Sequence, residues 1–322
     1  MSVSETGSDV LSRLSLTVNQ VPARLEETLF PDGGPNGGEL VEIVGESNTG
    51  KSRLLLDLIA RIVLPVNCAG HELGAVLIDC ENSFEPAVLL DVMEKYILNY
   101  AEPAIAATLD RPGIERIQDA SLHRLQLITC YSLEQFDLTL LSLDNVFLQQ
   151  PDISYVLVDS IATFYWTKCT PANRLRMETY QLAHCQKFKR IAEKWNKAFV
   201  YTKPAYFANG ESGRDIELSS DGLLVENSSQ GSTSAATTST PTNDMFPPGK
   251  GAATISLPVD YRIELCESDH CQTPPGTNEQ TEDEQTEDEQ RFCALIKSKE
   301  NSQPQYTRFY LIDKFGFNWI DP

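Results

Sequence analysis

Residues 41–58 read VEIVGESNTGKSRLLLDL, and within them Gly45, Glu46, Ser47, Asn48, Thr49, Gly50, Lys51 and Ser52 spell G-x-x-x-x-G-K-[ST]. An apolar run precedes the motif and an apolar pattern of helical period follows it, so it joins a buried strand to a helix. Few features constrain a fold more, because the loop works only at the carboxyl end of a strand in an open α/β sheet. Glycine at 45 and 50 lets the backbone close tightly enough for its N–H groups to surround phosphate oxygens. The positive end of the following helix adds to that attraction. In such a loop Lys51 reaches the β- and γ-phosphates of ATP and the Ser52 hydroxyl holds Mg²⁺. The competing reading is a Gly-rich turn without a ligand, or a loop that keeps only its shape.

Apolar runs alternate with helical patterns as far as residue 202, which predicts βα units and a largely parallel sheet. Strands are expected at 39–44, 74–80, 124–130, 155–159 and 198–202, with helices at 51–64, 86–99, 133–148 and 174–195. Residues 209–250 are then rich in Ser, Thr, Gly, Asn and Pro, with too little apolar surface to order themselves. Strands return at 261–266 and 292–297. Between them lies the acidic repeat TEDEQTEDEQ, the insertion of a hairpin spanning about 272–290. The chain closes on RFYLID (308–313), a turn at Lys314-Phe315-Gly316, and 317–320, a terminal β-hairpin. The fold class is therefore α/β, a mostly parallel central sheet with C-terminal antiparallel hairpins. Short kinase-like P-loop enzymes are not built this way, and no arginine-rich lid of the kind they use is visible.

The net charge of −20 argues against binding nucleic acid through bulk electrostatics. Seven of the acidic residues sit in 279–289, and without them the charge is still −13. Any DNA contact must come from a local loop or from partners. Residues 1–10 are polar, without the apolar core of a secretion signal, which is the pattern of an intracellular chain with reduced thiols. The eight cysteines form no C-x-x-C pair, and the spacing of Cys266, His270 and Cys271 matches no familiar zinc pattern. The longest apolar candidate, 54–66, is interrupted by Asp57 and Arg61, so no membrane span is expected.

A P-loop ATPase also needs an acid at the end of a neighbouring buried strand to hold the metal. Asp159 follows Tyr155-Val156-Leu157-Val158 and fits that place, although Asp and Ser at 159–160 are also good helix caps. Hydrolysis further needs a base that orients water. Glu81, just past the strand at 74–80, faces the edge where ligands of α/β sheets collect, and Asp79 competes with it.

Two segments carry a family resemblance. IDCENSFEPAVLLDVMEKY (78–96) resembles I-D-T-E-G-T-F-R-P-E-R-L-L-x-x-A-E-R-Y of the eukaryotic RecA-like strand-exchange recombinases and their paralogues. VDSIATFYW (158–166) is similar to the same family's V-D-S-x-x-x-L-Y-R. The likeness covers 38–204 well and 255–320 loosely. It implies a RecA-type ATPase domain over 38–322, with insertions at about 209–250 and 272–290. Residues 1–37 are too short and polar to supply the small N-terminal helical domain of the full recombinases. It also implies that Glu81 is the catalytic glutamate and Asp159 the metal acid.

The departures matter as much. The family's T-N-Q at the end of the strand after the long helix, whose glutamine senses the γ-phosphate, is here Thr202-Lys203-Pro204. The arginine that packs near adenine is Val88. The family's second DNA loop falls in 205–252, which reads more readily as a solvated linker. The first carries Lys168, Arg174 and Arg176 beside Tyr165 and Trp166. The resemblance thus implies a nuclear ATP-binding subunit that assembles with other RecA-like paralogues. Its role would lie in homologous-recombination repair of double-strand breaks and in meiotic recombination. It would turn over ATP slowly at most and bind single-stranded or branched DNA weakly by itself. The alternative is a DNA-stimulated ATPase that forms its own strand-exchange filament.

Overall fold

The structure is a computed structural model that describes residues 25–30, 33–106, 109–169, 176–207, 257–267, 292–298, 306–313 and 316–320. The stretches 209–250 and 272–290, with His270 and Cys271, lie outside these residues. One sheet carries nine strands: β1 (Leu40–Gly45), β2 (Gly74–Asp79), β3 (Leu125–Thr129), β4 (Ile153–Asp159), β5 (Ala198–Pro204), β6 (Tyr261–Glu267), β7 (Phe292–Ser298), β8 (Tyr306–Asp313) and β9 (Gly316–Ile320). Their order is β3-β2-β4-β5-β1-β6-β7-β8-β9. Pairing is parallel from β3 through β6 and antiparallel from β6 to β9. The expected class is observed, with one refinement. β6 pairs parallel with β1 and antiparallel with β7, so the hairpin expected from 261–266 and 292–297 is observed and joins the parallel sheet through its first strand.

Helices α1 (Lys51–Val63), α2 (Pro86–Tyr100), α3 (Arg111–Leu122), α4 (Leu133–Gln149) and α5 (Met177–Trp195) cover the sheet. The central strands are apolar at nearly every position because both faces are covered. Val41, Ile43, Ala75, Leu77, Tyr155 and Leu157 pack with α1, α2 and α3. The alternate residues Leu40, Val76, Ile78, Val156 and Val158 pack with α4 and α5. Leu25, Leu29 and Phe30 join the first of these cores, so packing reaches back before β1. Helix α3 is absent from the helices expected from the sequence. Its signal is a cap. The Asp110 carboxylate accepts from the Gly113 amide at 2.8 Å, and proline in the first turn gives up no hydrogen bond. Among the described residues no helix is long and apolar enough to cross a membrane. Six described cysteines are free thiols, whereas Cys293 is disulfide-bonded, a departure from the expectation of reduced thiols throughout.

One polar residue is costly to this fold. Asp57 lies on the buried face of α1, where its Oδ2 accepts from the Tyr96 hydroxyl at 2.8 Å and its Oδ1 finds no partner among the described residues. Burial pushes its pKa up to about 6, against the pull of the Tyr96 hydrogen bond and the nearby Lys95 charge. A raised carboxylate pKa means that the folded state holds its proton more tightly than the unfolded state. The resulting cost is absent below about pH 4, grows between there and pH 6, and is complete above it. Asp57→Asn keeps an acceptor for Tyr96 and removes the charge. It should stabilise the fold at pH 7.5 by about 2–3 kcal/mol, from roughly 1.4 kcal/mol per pKa unit. That is a rise of several degrees in Tm. The gain should shrink by about half at pH 5 in thermal unfolding scans.

Candidate active site

The phosphate-loop motif lies where β1 ends and α1 begins, with Gly45 the last residue of the strand and Lys51 the first of the helix. Both glycines are required by space, and Gly50 by its backbone angle as well. A Cβ on Gly45 would lie 2.4 Å from the Thr49 hydroxyl and 2.8 Å from the Leu265 carbonyl. Gly50 has φ +86° and no room for a Cβ, which would lie 2.5 Å from Ile312. Asn48 also takes a left-handed conformation, which Asn tolerates better than most residues. The Thr49 hydroxyl donates to the Glu46 carbonyl at 2.9 Å and closes the turn. Glu46, Ser47 and Asn48 face solvent. The Lys51 ammonium donates to the carbonyls of Gly45 at 3.0 Å and Glu46 at 2.6 Å. Burial lowers its pKa, while the charges of Glu81, Asp159 and Glu46 act the other way. The lysine therefore already sits in the field of the two candidate acids.

Those acids arrive from β2 and β4. The parallel register sets Asp79 opposite Asp159, and the Asp159 carbonyl accepts from the amides of Cys80 and Glu81 at 2.6 and 3.2 Å. Asp79 and Glu81 differ in their hydrogen bonding. Asp79 is buried and accepts from the amides of Glu81, Ser83 and Phe84 at 3.1, 3.4 and 3.1 Å, so its lone pairs are spent on shaping the loop. Glu81 stands on that loop with its carboxylate reaching solvent. Desolvation and then the Asp159 charge raise its pKa, opposed by a Ser160 hydrogen bond and by Lys51. Asp159 is nearly buried and accepts from the Thr202 hydroxyl at 2.5 Å and from Ser52. Its pKa is raised by burial and by Asp79, with those hydrogen bonds and Lys51 opposing. The Asp159–Ser160 peptide is cis.

These residues fit a nucleotide and its cation. Lys51 offers a cation at the rim of the loop, held on its Gly45 and Glu46 carbonyls. NH1 of Arg53, directly after Ser52, is a buried donor that lacks a partner among the described residues. Ser52, Asp79, Ser83, Phe84 and Asp159 line a cavity of about 20 Å³ between α1 and the strand ends. That is room for about one water-sized oxygen. A hydroxyl and a carboxylate in hydrogen-bond contact make the hard oxygen donor set that Mg²⁺ prefers.

The end of β5 holds what sequence reasoning missed. Lys203 and Glu42 are each 1% exposed and form an ion pair at 2.8 Å. Glu42 Oε1 also accepts from Tyr201 at 2.8 Å and Gln181 at 2.7 Å, and Oε2 meets Arg262 at 3.3 Å. The available signal was a lone carboxylate inside the otherwise apolar strand LVEIVG, facing a lone lysine in AFVYTKP. Of the proposed DNA-facing residues, Trp166, Lys168 and Arg176 are exposed and Arg174 lies outside the described residues. Tyr165 does not belong with them. It is buried, edge-on to Tyr180 at 5.5 Å and to Trp166 at 4.9 Å.

With this geometry in hand, comparison with known proteins is decisive for the family. The Rad51 family model matches residues 15–214. The chain belongs to the Rad51 family. DNA repair protein XRCC2 of Mus musculus is 27% identical over 219 residues, 67% of this chain and 73% of that protein. DNA repair protein RAD51 of Mycosarcoma maydis is 31% identical over 171 residues, 53% of this chain and 45% of that protein. DNA repair protein rhp51 of Schizosaccharomyces pombe is 29% identical over the same length, 53% of this chain and 42% of that protein. The chain thus spans less than half of these two longer relatives. The sheet observed here is the RecA-like domain of the Rad51 family, whose members are in general nucleotide- and Mg²⁺-dependent ATPases. Membership and relatives together support a role in DNA repair by homologous recombination as a Rad51 paralogue.

Lys51→Ala should weaken ATP binding more than tenfold in equilibrium titration, about 1.4 kcal/mol or more. Backbone amides offset only part of the phosphate charge without the ammonium. Equal affinity in wild type and variant would mark the loop as vestigial.

Proposed function

We propose that this chain is the ATP-binding subunit of a recombinase-paralogue assembly, acting in the nucleus in repair of DNA double-strand breaks and in meiotic recombination. It works by holding partners of the same fold rather than by driving strand exchange alone. The loop Gly45–Ser52 takes the phosphates, with Lys51 on the β- and γ-groups. Ser52 and Asp159 hold Mg²⁺, which when bound neutralises phosphate charge. Glu81 orients the attacking water, and Thr202 keeps the Asp159 carboxylate turned towards Ser52. The ATPase domain is taken as 38–322, with the insertions at about 209–250 and 272–290 outside it in role.

The observation that carries the reading is the buried Lys203–Glu42 ion pair. At the place where strand-exchange recombinases end this strand in Thr-Asn-Gln, the chain has a lysine committed to the core, followed by a proline that lacks an amide donor. A side chain held in a buried ion pair is not free to report the γ-phosphate to the segment that follows. Binding is retained on this reading, while coupling of hydrolysis to DNA is lost. The acidic charge of −20 points the same way, since it disfavours tight DNA binding by the chain alone.

Purified protein should bind ATP yet turn it over far below the median enzyme rate of ~10 per second, with or without single-stranded DNA. Affinity purification from cells should bring down a RecA-like partner. Cells lacking the protein should be sensitive to crosslinks and breaks, with Lys51→Ala milder than deletion. Robust DNA-stimulated hydrolysis by the isolated chain would overturn this in favour of a self-assembling filament.

A further inference from the structure

The C-terminal hairpin reaches back to the phosphate loop, and one hydroxyl makes the connection. Tyr310 on β8 is fully buried, and its hydroxyl donates to the Thr49 carbonyl at 2.7 Å. Its ring is held on both faces, stacked on Phe317 at 4.0 Å and on Phe292 at 5.4 Å, with Trp319 edge-on at 5.9 Å. Beside it Ile312 closes the space at Gly50. Burial pushes the phenol pKa well up, so it remains a donor at any physiological pH.

The bond matters because of the peptide it grips. Among the described residues cis peptides occur only at Gly34–Pro35 and Asp159–Ser160, so Thr49–Gly50 is trans. In a planar trans peptide the C=O and the following N–H point in opposite directions. A hydroxyl that pins the Thr49 carbonyl on the hairpin side therefore aims the Gly50 N–H to the other side, towards the interior of the loop. Gly50 is the residue least able to hold that plane by itself, since it has no side chain and takes φ +86°. We propose that Tyr310 is a positioning residue for phosphate binding, which sets the direction of the Gly50 amide through the Thr49 carbonyl. This rests on the nucleotide reading of the site and adds the C-terminal hairpin to the binding machinery.

The variant that isolates the bond is Tyr310→Phe, which keeps the ring stack and removes one oxygen. ATP and inorganic pyrophosphate are titrated calorimetrically into wild type, Tyr310→Phe and Phe147→Leu at 15 °C, and Tm is read for each. Tyr310→Phe should weaken both ligands about fivefold, the scale of one lost hydrogen bond. Phe147→Leu, in the core under α4 and away from the loop, should lower Tm with Kd within about twofold of wild type. Hydrogen exchange of the Gly50 amide without ligand should quicken in Tyr310→Phe, with β1 unchanged. Equal ligand affinity in Tyr310→Phe and a binding wild type overturns the positioning role. So does an equal weakening in Phe147→Leu, which would make the effect one of overall stability. A wild type that binds neither ligand sinks the nucleotide reading itself, and the positioning role with it.

Discussion

Four elements that frame the site are tied to a single carboxylate. Glu42 on β1 receives Lys203 and Tyr201 from β5, Arg262 from β6 and Gln181 from α5, all at positions shielded from water except for part of Arg262. A buried charge without partners is expensive, and removing one member of such a pair typically costs about 3–5 kcal/mol. The arrangement answers that cost by spending both carboxylate oxygens on donors. Burial lowers the Lys203 pKa and the Glu42 charge opposes that shift. The consequence is positional, because Glu42 lies three residues before Gly45 and Lys203 one residue after the threonine that grips Asp159. The strand ends that carry the site are therefore held in register by charge as well as by backbone pairing.

Within that frame two neighbouring aspartates divide the work. They sit side by side on paired strands, yet Asp79 is filled by three backbone amides while Asp159 meets hydroxyls from Thr202 and Ser52. Amide donors make a carboxylate a fixture of the loop. Hydroxyl donors can rotate and leave it able to accept a cation. Glu81 stands on the loop that Asp79 shapes, so the buried acid fixes the place of the exposed one.

The phosphate loop is gripped from its outer side as well. Gly45 is closed in by the Leu265 carbonyl of β6, and Gly50 by Ile312 of β8, with the Tyr310 hydroxyl on Thr49 between them. The late strands of the chain thus complete a loop that is local in sequence. The rings of Phe292, Tyr310 and Phe317 stack across these antiparallel strands beside the loop.

Much of this was legible in the residues alone. The α/β class, the strand and helix pattern up to residue 202 apart from α3, and the terminal hairpin follow from apolar periodicity and turn residues, which act over a few positions. The motif residues Gly45 to Ser52 also stand out locally, because their chemistry depends on spacing along the chain. The decisions left to tertiary structure all involve residues far apart in sequence. Whether Asp79 or Glu81 is free depends on which amides fold over Asp79. That Tyr165 is core and Trp166 is surface depends on where α5 packs. The partners of Glu42 are separated from it by about 140 to 220 residues. No periodicity encodes such a meeting, since only the register of β1 against β5 and β6 brings one carboxylate and its four donors to the same point.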